Sequence, residues 1–176
     1  MKSVFAVTML AFVILGQAAD VHGRPSPEPR WVVGVVSKVS DGDTLWVHPN
    51  DCHASIECKP VKVRIHGIDA PERCQAWGHQ SAEALSARLL QQNVEVSTSS
   101  RDRYGRELGK VRHKGEDVGA WMVLHGHAWS YRYQKSTGPY GQEEQLARQE
   151  HRGLFADPAA TEPRAFRKAH GACGSD

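Results

Sequence analysis

The sequence of 176 residues lacks several features that would each indicate a particular class of protein. Its apolar N-terminal run falls short of the ~20 residues that a membrane-spanning helix needs. No repeat or heptad pattern indicates a solenoid or a coiled coil. The net charge is only +2, so any site for an anionic partner has to be local. With 40% hydrophobic and 24% charged residues, the composition fits one globular domain and excludes a disordered chain.

The spacings of common metal-binding motifs are also missing. No C-x2-C pair is present, and His125 and His127 are two residues apart, which does not place them on one helix face. The sequence therefore argues against a zinc site, and we interpret these histidines as ordinary polar positions. The D-x-D-x-D-G…E spacing of an EF-hand is absent as well.

The N-terminal segment has the order of a secretory signal peptide. It combines a lysine at position 2, an apolar run over residues 4–15 broken only by Thr8, and small residues at 16 and 18. A membrane anchor is the alternative, but the apolar run is too short for one. We therefore predict a signal peptide over residues 1–19, a Pro-rich linker over 20–30, and export to the periplasm or beyond.

Export changes the interpretation of the four cysteines, because disulfides persist in oxidising compartments. Four cysteines permit three pairings. The short loop between Cys52 and Cys58 favours these two as local partners, which would leave Cys74 with Cys173 and tie the C-terminal tail to the body. The sequence alone does not decide among the pairings.

The periodicity of apolar residues predicts a small α+β domain. Alternating, β-branched segments predict strands over 31–40, 44–48, 61–66, 93–99 and 107–113. Helical spacing and end signals predict helices over 75–92, 117–125 and 140–152. The segment after residue 153 is predicted to be loop-like. This order suits a five-stranded OB-fold-type barrel capped by about three helices.

Acidic residues concentrate in turns that follow the predicted strands. Asp43 and Asp69 come from two different turns, and carboxylate oxygens suit a hard cation such as Ca²⁺. The carbonyl of Ala70, in a turn stiffened by Pro71, could supply a third ligand. For Asp43 and its neighbour Asp41, a plain Asp-Gly hairpin turn is the alternative.

Other residues near these turns have the chemistry to handle a phosphodiester. Arg64 and Arg106 come from separate strands, and guanidinium groups bind phosphate oxygens in bidentate fashion. Glu72 could accept a proton from a water molecule. Tyr131 and Tyr133 could offer rings to bases. The alternatives are a solvated R-D-R-Y-G-R turn in which Arg101, Asp102 and Arg103 pair with one another, a helix cap for Glu72 and core packing for the tyrosines.

Three stretches together resemble the staphylococcal nuclease (thermonuclease) family. D-G-D-T at 41–44, R-x4-D-x-P-E at 64–72 and D-R-Y-G-R at 102–106 occur in the family's order and spacing. Helix 140–152 followed by G-L-F resembles the family's end. The resemblance implies an OB-fold barrel and a Ca²⁺-dependent phosphodiesterase that cleaves the P–O5′ bonds of DNA and RNA and leaves 3′-phosphates.

The resemblance also implies roles for single residues. The calcium ligands would be Asp43, Asp69 and the Ala70 carbonyl, with Asp41 behind them. Arg64 and Arg106 would stabilise the attacked phosphate, and Glu72 would be the general base. The residues lining the nucleotide site would be Arg103, Tyr104, Tyr131 and Tyr133. The family's best-known member has Thr in place of Ala70, and a Lys is familiar in place of Arg103.

These arguments predict a monomeric nuclease domain over residues 31–157 and a tail over 158–176, with DNA and RNA as substrates and no stable membrane association after signal cleavage. A non-catalytic nucleic-acid-binding OB module is the main alternative, but the intact set of acids argues against it. A calcium-stabilised extracellular interaction domain is another, but it would leave the arginines without a role.

Overall fold

A computed structural model describes residues 30–51, 59–171 and 173, without the side chain of Ser99. The predicted signal peptide, nearly all of the linker and the Cys52–Cys58 pair lie outside the described residues. The described chain forms a closed barrel with α-helices around it. This confirms the predicted α+β class and the OB-fold-type architecture.

The strands follow the predicted alternation closely. In chain order they are β1 (Arg30–Asp41), β2 (Thr44–Pro49), β3 (Val61–Ile65), β4 (Ile68–Asp69), β5 (Asn93–Arg101), β6 (Glu107–His113), β7 (Glu116–Asp117) and β8 (Trp129–Ser130). The barrel has the spatial order β3-β2-β1-β5-β6, and a parallel pairing of β3 with β6 closes it. The short strand β7 extends β6, and β4 pairs with β8 in a separate ladder.

The three predicted helices are confirmed, each somewhat shorter than predicted. They are α1 (Gly78–Leu89), α2 (Val118–Leu124) and α3 (Gly141–Gln149). No helix in the described part of the chain combines the length and apolarity that crossing a membrane requires.

The prediction of a loop-like tail is wrong. A 3-10 helix covers Gly153–Ala156, and a fourth α-helix, α4, covers Pro163–His170. Proline stands at the start of α4, where its missing N–H costs nothing, and Gly171 follows the last helical residue. Alanine, arginine and lysine between these ends favour a helix. The prediction overlooked these signals.

One apolar core fills the barrel. Alternate residues of the strands, such as Val63 and Ile65, point inward and are almost fully buried. Leu85 and Leu89 of α1 pack onto the same core. Burial of each such side chain contributes roughly 1.5–3 kcal/mol relative to its exposure to water. The core thus fixes the strand ends that carry the charged turns.

A disulfide joins the tail to the body. Cys74 lies between β4 and α1, and it is bonded to Cys173 just beyond α4. The two residues are separated by 99 positions in the sequence. This is the pairing that the short Cys52–Cys58 spacing favoured, and it holds α4 close to the turn that contains Glu72.

Candidate active site

Backbone pairing brings the charged turns together at one edge of the barrel. In the ladder between β2 and β3, Thr44 lies opposite Arg64. The N–H of Ile65 donates to the carbonyl of Asp43 at 2.8 Å, which fixes the turn before β2 against β3. Gly67, with φ of 87°, then turns the chain into β4, where Asp69 lies.

Arg64 joins the two predicted calcium ligands. Its Nη1 donates to Asp43 Oδ1 and its Nη2 donates to Asp69 Oδ1, both at 2.9 Å. The Arg64 side chain is 19% exposed, and both carboxylates are nearly buried. Burial opposes the charged guanidinium, but the negative charges of Asp43 and Asp69 outweigh it and raise the pKa of Arg64. Arg64 therefore stays charged.

Asp43 is the most enclosed acid of the site. Its Oδ1 also accepts a hydrogen bond from Thr44 Oγ1 at 2.9 Å, and its Oδ2 accepts one from the N–H of Ala70 at 3.2 Å. Its own N–H donates to Asp41 Oδ1 at 3.0 Å. Burial raises the pKa of Asp43 to about 6, although the charge of Arg64 opposes this shift. A further cation beside Asp43 would favour its ionised form.

The donor set at this edge fits a hard cation. Asp43 and Asp69 offer carboxylate oxygens from two elements, and Ala70, also buried, lies directly after Asp69. Within residues 30–51, 59–171 and 173, no group of three or more His, Cys, Asp or Glu side chains gathers as a metal site. A bound cation would therefore depend on these two carboxylates, on backbone carbonyl oxygen and on water.

Glu72 lies beside this pair and has a partner that the sequence did not reveal. Its Oε1 accepts a hydrogen bond from Nη1 of Arg167 on α4 at 2.7 Å. Arg167 also donates to both oxygens of Asp69, at 3.3 and 3.0 Å. The favoured pairing of Cys173 with Cys74, two residues after Glu72, was the signal that could have placed the tail here.

Arg106 reaches the site through a hydroxyl group. Its Nη1 donates to Thr44 Oγ1 at 3.3 Å, and Thr44 in turn donates to Asp43. Its Nε donates to Asp102 Oδ2 at 2.7 Å. Burial opposes the charge of Asp102, but hydrogen bonds from Arg106 outweigh it and lower the pKa of this acid. The turn thus holds Arg106 in a charged pair at the rim of the site.

The four residues predicted to line the nucleotide site are exposed or lie on the surface. Tyr104 is 69% exposed and Tyr133 68%, and the guanidinium of Arg103 lies 4.9 Å from the centre of the Tyr104 ring. Tyr131 is 44% exposed and lines a cavity of about 290 Å³ together with Asp69. The exposure of the tyrosines contradicts the core-packing alternative. Tyr131 is placed next to the acids, and the Tyr104 ring lies beside the guanidinium groups of both Arg103 and Arg106, with the latter 5.5 Å from its centre.

Comparisons with known proteins identify the family of the chain. A family model described as staphylococcal nuclease homologue matches residues 62–157. A micrococcal nuclease of Shigella flexneri is 37% identical over 154 residues, which cover 80% of this chain and 84% of that protein. An uncharacterized endonuclease of Haemophilus influenzae is 37% identical over 133 residues, which cover 76% of this chain and 71% of that protein. Protein ParB of Escherichia coli is 34% identical over 171 residues, which cover 90% of this chain and 93% of that protein. The chain therefore belongs to the staphylococcal nuclease homologue family.

Proposed function

We propose that this protein is a calcium-dependent endonuclease that hydrolyses the P–O5′ bonds of DNA and RNA and leaves 3′-phosphates. The observation that carries the proposal is the bridging of Asp43 and Asp69 by Arg64, with Glu72 alongside. Family membership and the nuclease names of its relatives support the reaction class.

The arginines are placed to bind the phosphodiester. Arg64 uses one terminal nitrogen for each carboxylate, so further N–H groups of its guanidinium remain for a phosphate oxygen. Arg106 uses Nε for Asp102 and one terminal nitrogen for Thr44. Two fixed positive charges would offset the negative charge that grows on the phosphate in the transition state.

Glu72 is the group best placed to activate the attacking water. Its carboxylate is about a quarter exposed, so a water molecule can reach it. Glu72 would hold that water, accept its proton and aim it at phosphorus. A calcium ion held by Asp43, Asp69 and the Ala70 carbonyl would act as a Lewis acid at a phosphoryl oxygen.

Substrate selection is expected to be broad. The exposed rings of Tyr104, Tyr131 and Tyr133 can stack on bases of any sequence, in DNA or RNA. Stacking on rings does not read the edges of the bases, so we expect little sequence preference. One chain contains the whole set of residues, which agrees with a monomer.

Cleavage assays with single- and double-stranded DNA and with RNA test the proposal. The oxidised protein should cleave in Ca²⁺ and not in EDTA, and phosphatase treatment should be needed before the 3′ ends can be extended. Glu72→Gln should lower kcat by about a hundredfold or more, because the proton acceptor is lost. Glu83→Gln changes an exposed acid on α1 and should leave kcat unchanged.

Two outcomes would contradict the proposal. Tight binding of DNA without cleavage in any divalent metal would favour the non-catalytic binding module. Products with 5′-phosphates and free 3′-hydroxyls would contradict cleavage of the P–O5′ bond. Full activity of Glu72→Gln would leave the nuclease and remove Glu72 as its base.

We also propose that the protein is exported to the periplasm or the medium. The N-terminal sequence and the Cys74–Cys173 disulfide support this, since disulfides persist in oxidising compartments. Mass spectrometry of the protein recovered from each cell fraction should find a chain that has lost roughly the first 19 residues. An uncleaved chain in the cytoplasm would contradict export.

A further inference from the structure

Arg167 of α4 lies inside the cluster of acids at the candidate site. Its Nη2 donates to Asp69 Oδ2 at 3.0 Å, and its Nη1 donates to Asp69 Oδ1 and to Glu72 Oε1. Arg64 Nη2 also donates to Asp69 Oδ1, at 2.9 Å. Both oxygens of a proposed calcium ligand are therefore already engaged by guanidinium groups.

The contact is a strong one for a group at the rim of a site. Arg167 is 34% exposed, whereas Asp69 is 7% exposed. Burial opposes the charge of Arg167, but the hydrogen bonds and charges of Asp69 and Glu72 outweigh it and raise the pKa of Arg167. Charge-assisted bonds of this kind are shorter and stronger than neutral ones.

Polar contacts and one covalent bond hold α4 at both ends. Before the helix, the carbonyl of Thr161 accepts a hydrogen bond from Gln75, and Glu162 pairs with Arg132. After the helix, Cys173 is bonded to Cys74. These attachments keep Arg167 next to the acids.

Apolar packing of α4 against the body is sparse. Pro163 is its one buried residue. A cavity of about 370 Å³ is lined by Phe166 of the helix and by Trp77 and Trp129 of the body. The ring of Phe166 instead contacts His170 of the same helix, with centroids 4.7 Å apart. Its attachment therefore depends more on the polar contacts and the disulfide than on apolar burial.

We propose that Arg167 is an internal counter-cation that competes with the metal for Asp69, so that α4 restrains the site until calcium binds. This inference rests on the proposed function, in which Asp69 is a calcium ligand. A calcium ion at Asp69 would share carboxylate oxygens that Arg167 already engages, and its charge would repel the guanidinium. Calcium binding and the Arg167 contact therefore weaken each other to the same extent.

The affinity of the protein for calcium, measured without nucleic acid, tests this competition apart from any role of Arg167 in binding substrate. We would measure Kd by isothermal titration calorimetry on the oxidised, full protein. Arg167→Gln should bind calcium about five- to tenfold more tightly than wild type, since the competitor is removed. Lys168→Gln removes the same charge from an exposed position on the same helix and should change Kd less than about twofold.

A second substitution covers the case in which Arg167→Gln does not fold. Arg167→Lys keeps the charge but loses the paired geometry, and its Kd should lie between those of wild type and Arg167→Gln. A Kd equal to or weaker than that of wild type in the folded Arg167 variants would overturn the inference. A gain in affinity for Lys168→Gln as large as for Arg167→Gln would overturn it too.

The same titration tells a failure of this inference from a failure of the proposed function. Asp43→Asn should abolish calcium binding if the metal site is correct. Calcium binding that needs Asp43 but is indifferent to Arg167 would overturn the inference and leave the nuclease proposal standing. No calcium binding by any variant would overturn both.

Discussion

At the scale of single residues, Arg106 offers the clearest test of phosphate binding. Asp102 and Thr44 hold its guanidinium in place. We expect Arg106→Gln to lower kcat/KM for single-stranded DNA by about a hundredfold, because one charge facing the transition state is lost. Initial rates at low substrate concentration give this ratio.

The control for this change is Arg101→Gln. Arg101 belongs to the same turn region, is 64% exposed and pairs with Glu107. Its loss should alter kcat/KM less than about threefold, as expected of a surface ion pair. Similar losses for the two variants would show that general surface charge, rather than Arg106 itself, promotes the reaction.

His127 gives a prediction about pH and stability. Burial and the neighbouring His125 lower the pKa of His127 to about 4, against an ordinary value of 6.5. The native state therefore binds fewer protons than the unfolded state. The stability contributed by neutral His127 is complete above pH 6.5 and is lost as the pH falls towards 4.

Urea unfolding at pH 7.5, 5.5 and 4.5 checks this prediction. Between the first and last pH, wild type should lose about 1 kcal/mol more unfolding free energy than His127→Gln, a figure reduced for the partial exposure of the ring. His151→Gln, at an exposed position, should follow wild type. If the unfolding free energies of wild type and His127→Gln fall by the same amount with pH, His127 is not the group responsible for the loss.

The sequence reveals some of these residues better than others. Asp43, Arg64, Asp69 and Arg106 lie in short motifs with fixed spacing, so a local pattern is enough to select them. Arg167 lies 95 residues from Glu72, in a segment with no such pattern. The favoured Cys74–Cys173 pairing brings its segment near Glu72, but only the tertiary fold shows its contacts with the acids.

At the scale of elements, Glu144 fastens α3 to the strand behind the site. It is 2% exposed, its Oε2 accepts the N–H of Ser130 at 3.0 Å, and its Oε1 accepts Arg148 Nε at 2.8 Å. Ser130 belongs to β8, whose other residue, Trp129, pairs with Asp69. Glu144 thus supports the strand that presents a proposed metal ligand.

We expect Glu144→Ala to lower the free energy of unfolding by about 3 kcal/mol, because it leaves the buried N–H of Ser130 and the guanidinium of Arg148 without this acceptor and removes one of the two acids that pair with Arg132. Denaturation in urea measures the change. Glu143→Ala removes the neighbouring acid from the first turn of α3 and should cost less than about 1 kcal/mol. Equal costs would mean that the helix dipole, not the buried network, dominates.

Element length explains why some parts of the fold were not predicted. The barrel strands β1, β2, β3, β5 and β6 are long enough to show alternation, and the sequence predicts all of them. The strands β4 and β8 contain two residues each and cannot show a period. Their pairing depends on contacts between segments far apart in the chain, which no local pattern encodes.

At the scale of the whole molecule, the Cys74–Cys173 disulfide closes a loop over a separation of 99 residues. Replacing both cysteines by alanine should lower the unfolding free energy by about 2–4 kcal/mol, because the unfolded chain gains freedom. Guanidinium denaturation of the oxidised proteins measures the difference. If the midpoint and slope of the denaturation curve do not change, the tail does not unfold cooperatively with the rest of the domain.

The parallel pairing that closes the barrel also affects when activity begins. It joins Val63 to Glu107, on either side of α1 and β5. Contacts between such distant segments dominate slow, late steps of folding. Until they form, Arg64 and Arg106 belong to separate parts of a disordered chain. If the protein is exported as proposed, a chain held unfolded for translocation would lack an assembled site, and the nucleic acids of the cell that synthesises it would be spared.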